Sequence, residues 1–67
     1  MDNFMAKKQE FKNGEWTDYK GKPAFFKTRE GVIAYVRGLN WILKENERFI
    51  AVDIAAKQII DIVEGQL

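Results

Sequence analysis

The alternation of apolar and polar residues divides the chain near Thr28: before it the spacing is two, interrupted by turn residues, and after it the spacing is helical. Asn13-Gly14 is the sharpest local signal, because a two-residue hairpin turn needs positive φ at both central positions and these two residues tolerate it best. It pairs Lys12 with Glu15 and Phe11 with Trp16. Continuing that register puts Gln9, Phe11, Trp16 and Asp18 on one face and Lys8, Glu10, Lys12, Glu15, Thr17 and Tyr19 on the other, so the aromatic pair is expected to point into the core. A second turn around Lys20-Gly21-Lys22 leads through Pro23, which suits a strand start, into a third strand over 24–27. A helix over 3–12 is the alternative for the first segment, since Met5 to Glu10 are good helix formers and Asn13-Gly14 would also end one.

Thr28 has the chemistry of an N-cap and Glu30 complements the dipole of the first turn. Beyond it Val32, Tyr35, Val36, Leu39, Ile42 and Leu43 form one helical stripe, predicting a helix over 29–44 weakened by Gly31 and Gly38. In the last third, Val52, Ala55, Ala56, Ile59, Ile60, Ile62, Val63 and Leu67 occupy half of a helical wheel and Asp53, Lys57, Gln58, Asp61 and Glu64 the other half. That segregation predicts a second helix over 53–64, capped by Asp53 and stopped by Gly65. A short fourth strand over 48–52 is compatible with Phe49 and Ile50 facing opposite ways. The expected fold class is α+β: a three-stranded antiparallel meander packed against two helices, forming one domain over 1–67 with residues 1–6 flexible.

Composition narrows the function more than the fold. A chain of 67 residues is near the lower limit for a self-supporting core, although nine aromatics argue against disorder. It contains no cysteine, histidine or serine, which removes disulfides, thiolate or imidazole metal sites and the commonest nucleophiles and bases. No apolar run reaches the roughly 18 residues that span a bilayer, and the first eight residues lack a signal-peptide core, so the expected location is the cytoplasm with no membrane partner. The nearest carboxylate groupings, Glu45 with Glu47 and Asp61 with Glu64, read as solvated surface charges rather than a catalytic pair. There is no acidic calcium loop and no glycine-rich phosphate loop, so neither catalysis nor a metal or cofactor is expected.

Binding is the remaining class. Residues 1–29 carry seven basic and four acidic side chains, residues 30–67 four and six. Three short strands followed by a helix, with Phe25-Phe26-Lys27-Thr28 leading into it, faintly resemble over about half the chain the arm-type DNA-binding domains of phage integrases and the plant AP2 domain. The resemblance implies a sheet that reads nucleic acid, and Lys20, Lys22, Lys27 and Arg29 separately offer a phosphate-contacting cluster at one end of that sheet. Glu10 and Glu15 on the face left free by the hairpin register would repel phosphate. A protein partner is therefore the first expectation and nucleic acid the second, with Tyr19 and Trp41 as aromatic anchors beside those four basic residues. The broad apolar half of the second helix leaves room for a homodimer through it.

Overall fold

A computed structural model of the chain describes residues 2–65. The elements run β1 (Phe4–Lys12), β2 (Glu15–Asp18), β3 (Ala24–Phe26), α1 (Arg29–Gly38), a 3₁₀ turn (Asn40–Ile42), β4 (Glu47–Asp53) and β5 (Gln58–Glu64). All five strands form one antiparallel sheet in the order β2, β1, β4, β5, with β3 beside β2 on the same edge of β1. The first hairpin has the expected register, Phe11 opposite Trp16 and Lys12 opposite Glu15. Its turn residues Asn13 (φ 55) and Gly14 (φ 84) both occupy the left-handed region that such a turn demands.

Beyond that hairpin the expected architecture is overturned. The strands are not a meander, because β3 returns to β1 instead of pairing with β2, and β1 runs from Phe4 along the whole of β4. Nor are there two packed helices: Asp53 to Glu64 is a turn followed by β5, and the homodimer through a C-terminal helix falls with that helix. Asp53 does cap, but it caps a turn, its Oδ1 accepting from the Ala56 amide at 3.1 Å, while Lys57 reverses the chain at φ 56. A bulge opposite Ala51/Val52 shifts the alternation of β5 by one residue, so Ile59 shares a face with Ile62, and Ile60 with Val63. Same-face apolar residues three apart are the signature of a helix, and the bulge reproduces it in a strand. The β-branched residues of the segment then favour the extended chain.

Helix α1 starts as expected, with Thr28 Oγ1 accepting from the Gly31 amide at 3.0 Å. It stops at Gly38, not Lys44, and a 3₁₀ turn carries the chain into an extended Leu43 that is only 1% exposed. The core lies between α1 and one face of the sheet: Ala6, Val32, Val36, Leu43, Phe49 and Ala51, ringed by Phe4, Phe26, Ile33, Leu39, Ile60 and Val63. Ala6 and Ala51 are directly paired on β1 and β4, giving the helix a low seat. Because side chains alternate along β1, seating the helix over Ala6 puts Gln9 and Phe11 on the opposite face. The aromatic pair therefore points away from the helix, the reverse of the expectation.

Two glycines behave differently. A methyl group at Gly38 would meet nothing within 4 Å, so Gly38→Ala is expected to raise unfolding stability by about 0.5–1 kcal/mol through helix propensity, read as a higher urea midpoint. At Gly65, whose amide donates to the Glu47 carbonyl at 2.9 Å, a Cβ would lie 1.8 Å from the Lys44 carbonyl oxygen. Gly65→Ala is expected to cost about 1–3 kcal/mol as those backbones separate, with the midpoint falling accordingly.

Candidate interaction face of the sheet

Helix α1 covers one face of the sheet, and no described element covers the other. Strand register lays the uncovered side chains out in rows. Phe25, Met5, Val52 and Ile59 form one row across β3, β1, β4 and β5; Lys7, Ile50 and Ile62 form the next. Asp18, Gln9, Arg48 and Glu64 form a third, and Trp16 with Phe11 closes the sheet at the hairpin. The first two rows are apolar apart from Lys7. Phe25 is 53% exposed, Ile59 49% and Ile62 45%, whereas Ile50 at their centre is buried by its neighbours. Exposed apolar residues scattered singly are ordinary; adjacent ones on a flat sheet are a patch.

Within the polar row Asp18, Gln9 and Arg48 are hydrogen-bonded to one another. Gln9 donates to Asp18 Oδ1 at 2.8 Å and accepts from Arg48 Nε at 2.8 Å, while Lys7 Nζ donates to Asp18 Oδ2 at 3.0 Å. The Gln9 amide first, and then the Lys7 ammonium, hold Asp18 below the usual carboxylate range. The Arg48 guanidinium lies 4.2 Å from the centre of the Trp16 ring, and Phe11 meets that ring edge-on at 5.2 Å. Both cations of the face are thus already engaged.

A second feature lies on the outer edge of β1. Strand β2 pairs from Gln9 onward and β3 pairs back from Ala6, so among the described residues the backbone edge between them is bridged only by the Tyr19 amide donating to the Lys8 carbonyl at 3.1 Å. The gap is a groove of about 290 Å³ with Tyr19, Lys22, Lys8 and Tyr35 on its walls. Behind Tyr19 lies the nearly buried carboxylate of Glu47, which accepts from the Tyr19 hydroxyl and from the Lys44 amide at 2.8 Å, with Lys8 Nζ at 3.4 Å. The Tyr19 hydroxyl, and after it the Lys44 amide, hold Glu47 low; the same bond to Glu47 pushes the Tyr19 phenol up to about 12.

Of the residues singled out from the sequence, the structure brings together Tyr19, Lys20 and Lys22, on or beside this groove. Lys27 and Arg29 flank the helix cap and are exposed. Trp41, expected as an aromatic anchor beside those basic residues, is 76% exposed but sits in the 3₁₀ turn past the other end of α1, one helix length (~15 Å) from Arg29. These residues do not form one surface. Asp61 and Glu64 do not converge either: Asp61 takes a two-pronged contact from Arg37 at 2.9 and 3.0 Å on the helix side, and Glu64 lies in the polar row of the open side. The exposed apolar residues Phe25, Ile59 and Ile62 lie together on the open side, whereas the helical wheel places Ile59 and Ile62 on the apolar half of a helix. Phe25 was within reach, because of two adjacent phenylalanines in a strand only one can face a helix.

Among the described residues the chain is thus an antiparallel sheet backed by a single α-helix and open on one side. No protein family, curated protein or solved structure matches it. No helix among the described residues is long and apolar enough to cross a membrane.

Proposed function

We propose that this chain is a non-catalytic protein-binding module that covers a surface of a larger partner protein with the open face of its sheet. The observation that supports it is the contiguous apolar patch formed by Phe25, Met5, Val52, Ile59, Ile50 and Ile62, rimmed by the Asp18, Gln9 and Arg48 row. An apolar centre with a polar, self-satisfied rim is the anatomy of a protein interface. Its aliphatic side chains offer neither hydrogen bonds to base edges nor rings for base stacking, and Phe25 is its one ring. The absence of cysteine suits a cytoplasmic setting.

The test is capture from the source lysate with the wild-type chain, with Ile62→Asp and Phe25→Asp, and with Lys27→Ala as control. Each open-face substitution is expected to weaken capture of the partner at least about tenfold, and Lys27→Ala to leave it unchanged. Equal capture by all four proteins would remove the open face as the binding surface.

A second reading has one specific observation in its favour. Trp16 and Phe11, with Arg48 stacked on the indole, stand on an open sheet face as in a platform for single-stranded nucleic acid, and Lys20, Lys22, Lys27 and Arg29 are exposed cations. Binding to an oligonucleotide that falls steeply between low and physiological salt, and that is lost in Trp16→Ala, would favour it over the protein partner.

A further inference from the structure

The two edges of the sheet are unlike. One is broken into β2 and β3, of four and three residues, separated by a loop with Lys20, Lys22 and Pro23. Short strands, lysines, proline and bulges are devices by which natural sheets refuse a further strand, and of these β5 carries only its bulge at Ile60. The other edge is β5, seven residues long with no lysine or proline between Gln58 and Glu64 and four apolar side chains, and among the described residues it pairs only with β4. Its outward backbone groups are free to pair with another strand.

We propose that this edge pairs antiparallel with the same edge of a second copy, across a two-fold axis between Ile60 and Asp61, making one continuous sheet from two. The register follows from the side chains. Ile59 and Ile62 point to the open side, while Gln58, Ile60, Asp61 and Val63 point to the helix side. A pairing in which every opposed pair shares a side sets Ile59 against Ile62 of the second copy, Ile60 against its Asp61 and Gln58 against its Val63. Sliding by one residue opposes the two Asp61 side chains and sets Ile59 across from Val63, on opposite sides of the sheet. In the matched register Lys57 meets Glu64 of the second copy at both ends of the ladder, a complementary charge pair made twice. The Asp61 carboxylates beside the axis are each already neutralised by Arg37. A recess of about 300 Å³ along the edge, walled by Arg37, Asn40, Ile62, Val63 and Glu64, lies where Lys57 and Gln58 of the second copy arrive. The open apolar faces of the two copies then run together, Ile59 and Ile62 of one continuing those of the other.

Sedimentation equilibrium and amide exchange test this. The wild-type chain is expected to show a concentration-dependent monomer–dimer equilibrium, with slowed exchange of the Gln58–Glu64 amides in the dimer. Lys57→Glu and Glu64→Lys, both at exposed positions, each replace attraction by repulsion at two contacts and are expected to weaken association about tenfold at low salt. An equimolar mixture of the two variants is expected to associate as well as the wild type, because each supplies the charge the other lacks. A chain that stays monomeric at millimolar concentration, or a dimer indifferent to both substitutions, would overturn the proposal; weakening without recovery on mixing would overturn its register. Partner capture through the open face, measured on Lys57→Glu, whose substitution lies in the β4–β5 turn outside the open-face rows, stands or falls separately.

Discussion

Leu43→Ala is expected to leave the chain largely unfolded at 37 °C. Leu43 is 1% exposed, is among the largest fully buried side chains, and closes the core where the 3₁₀ turn delivers the chain to β4. Truncating a buried leucine costs about 2–5 kcal/mol, the spread reflecting how far the surroundings collapse into the space. A core in a domain of this size supplies no more than about 3–5 kcal/mol of net stability, so the loss is comparable to the whole. Circular dichroism melting would show a low, broad transition or none. Leu43→Met conserves the volume and should cost less than about 1.5 kcal/mol, and a melt for Leu43→Ala close to that of Leu43→Met would show that Leu43 does not close the core.

The second large effect is expected at Glu47. Its carboxylate accepts from the Tyr19 hydroxyl and the Lys44 amide and faces Lys8, so it ties the loop before β4 to the residue that follows β2. Glu47→Ala leaves those donors without an acceptor, at a cost of about 1–3 kcal/mol moderated by the solvent that reaches Tyr19 and Lys8. The pair also sets a pH profile. The folded state lowers the Glu47 pKa from 4.5, so its contribution is present at neutral pH and is lost as pH falls through the lowered value. The folded state raises the Tyr19 pKa from 10.0 to about 12, so its contribution is complete below pH 10 and is lost as pH rises through about 12. Urea midpoints across pH should form a plateau with both shoulders. Tyr19→Phe should remove the alkaline shoulder, and Glu47→Gln should blunt both. An alkaline shoulder that survives in Tyr19→Phe would show that another group carries it.

Local chemistry made some elements legible and long-range pairing hid the others. The Asn13-Gly14 hairpin and the Thr28 cap are specified within a few residues, and both appear with the expected partners. Which face of the hairpin meets the helix is not local: it depends on Ala6 pairing with Ala51, 45 positions along the chain. The nearer aromatic pair, Phe11 and Trp16, suggested the opposite face. Beyond Asp53 the helical wheel was a coincidence of the β5 bulge, and a simple alternating pattern would have been visible had Ile60 not been an extra residue between Ile59 and Asp61, the partners of Val52 and Ala51. The site suffered most from this. Exposed lysines and tyrosines attract attention in a sequence, whereas Ile59, Ile62 and Phe25 resemble core residues until the helix is known to lie on the other side.

The central position of β1 also bears on how the molecule reaches its folded form. Phe4 must find Asp53 and Glu10 must find Glu47, so the strand that neighbours three others closes its longest loops late. The hairpin at Asn13-Gly14 and helix α1 can form from nearby residues, but neither has a platform until β4 arrives. Such dependence on distant partners places folding on the millisecond-to-second scale of sheet proteins, slow for so small a chain. During that interval the isoleucines of β5 have no neighbour, and dilute conditions with prompt docking of β4 would be what separates productive folding from clumping.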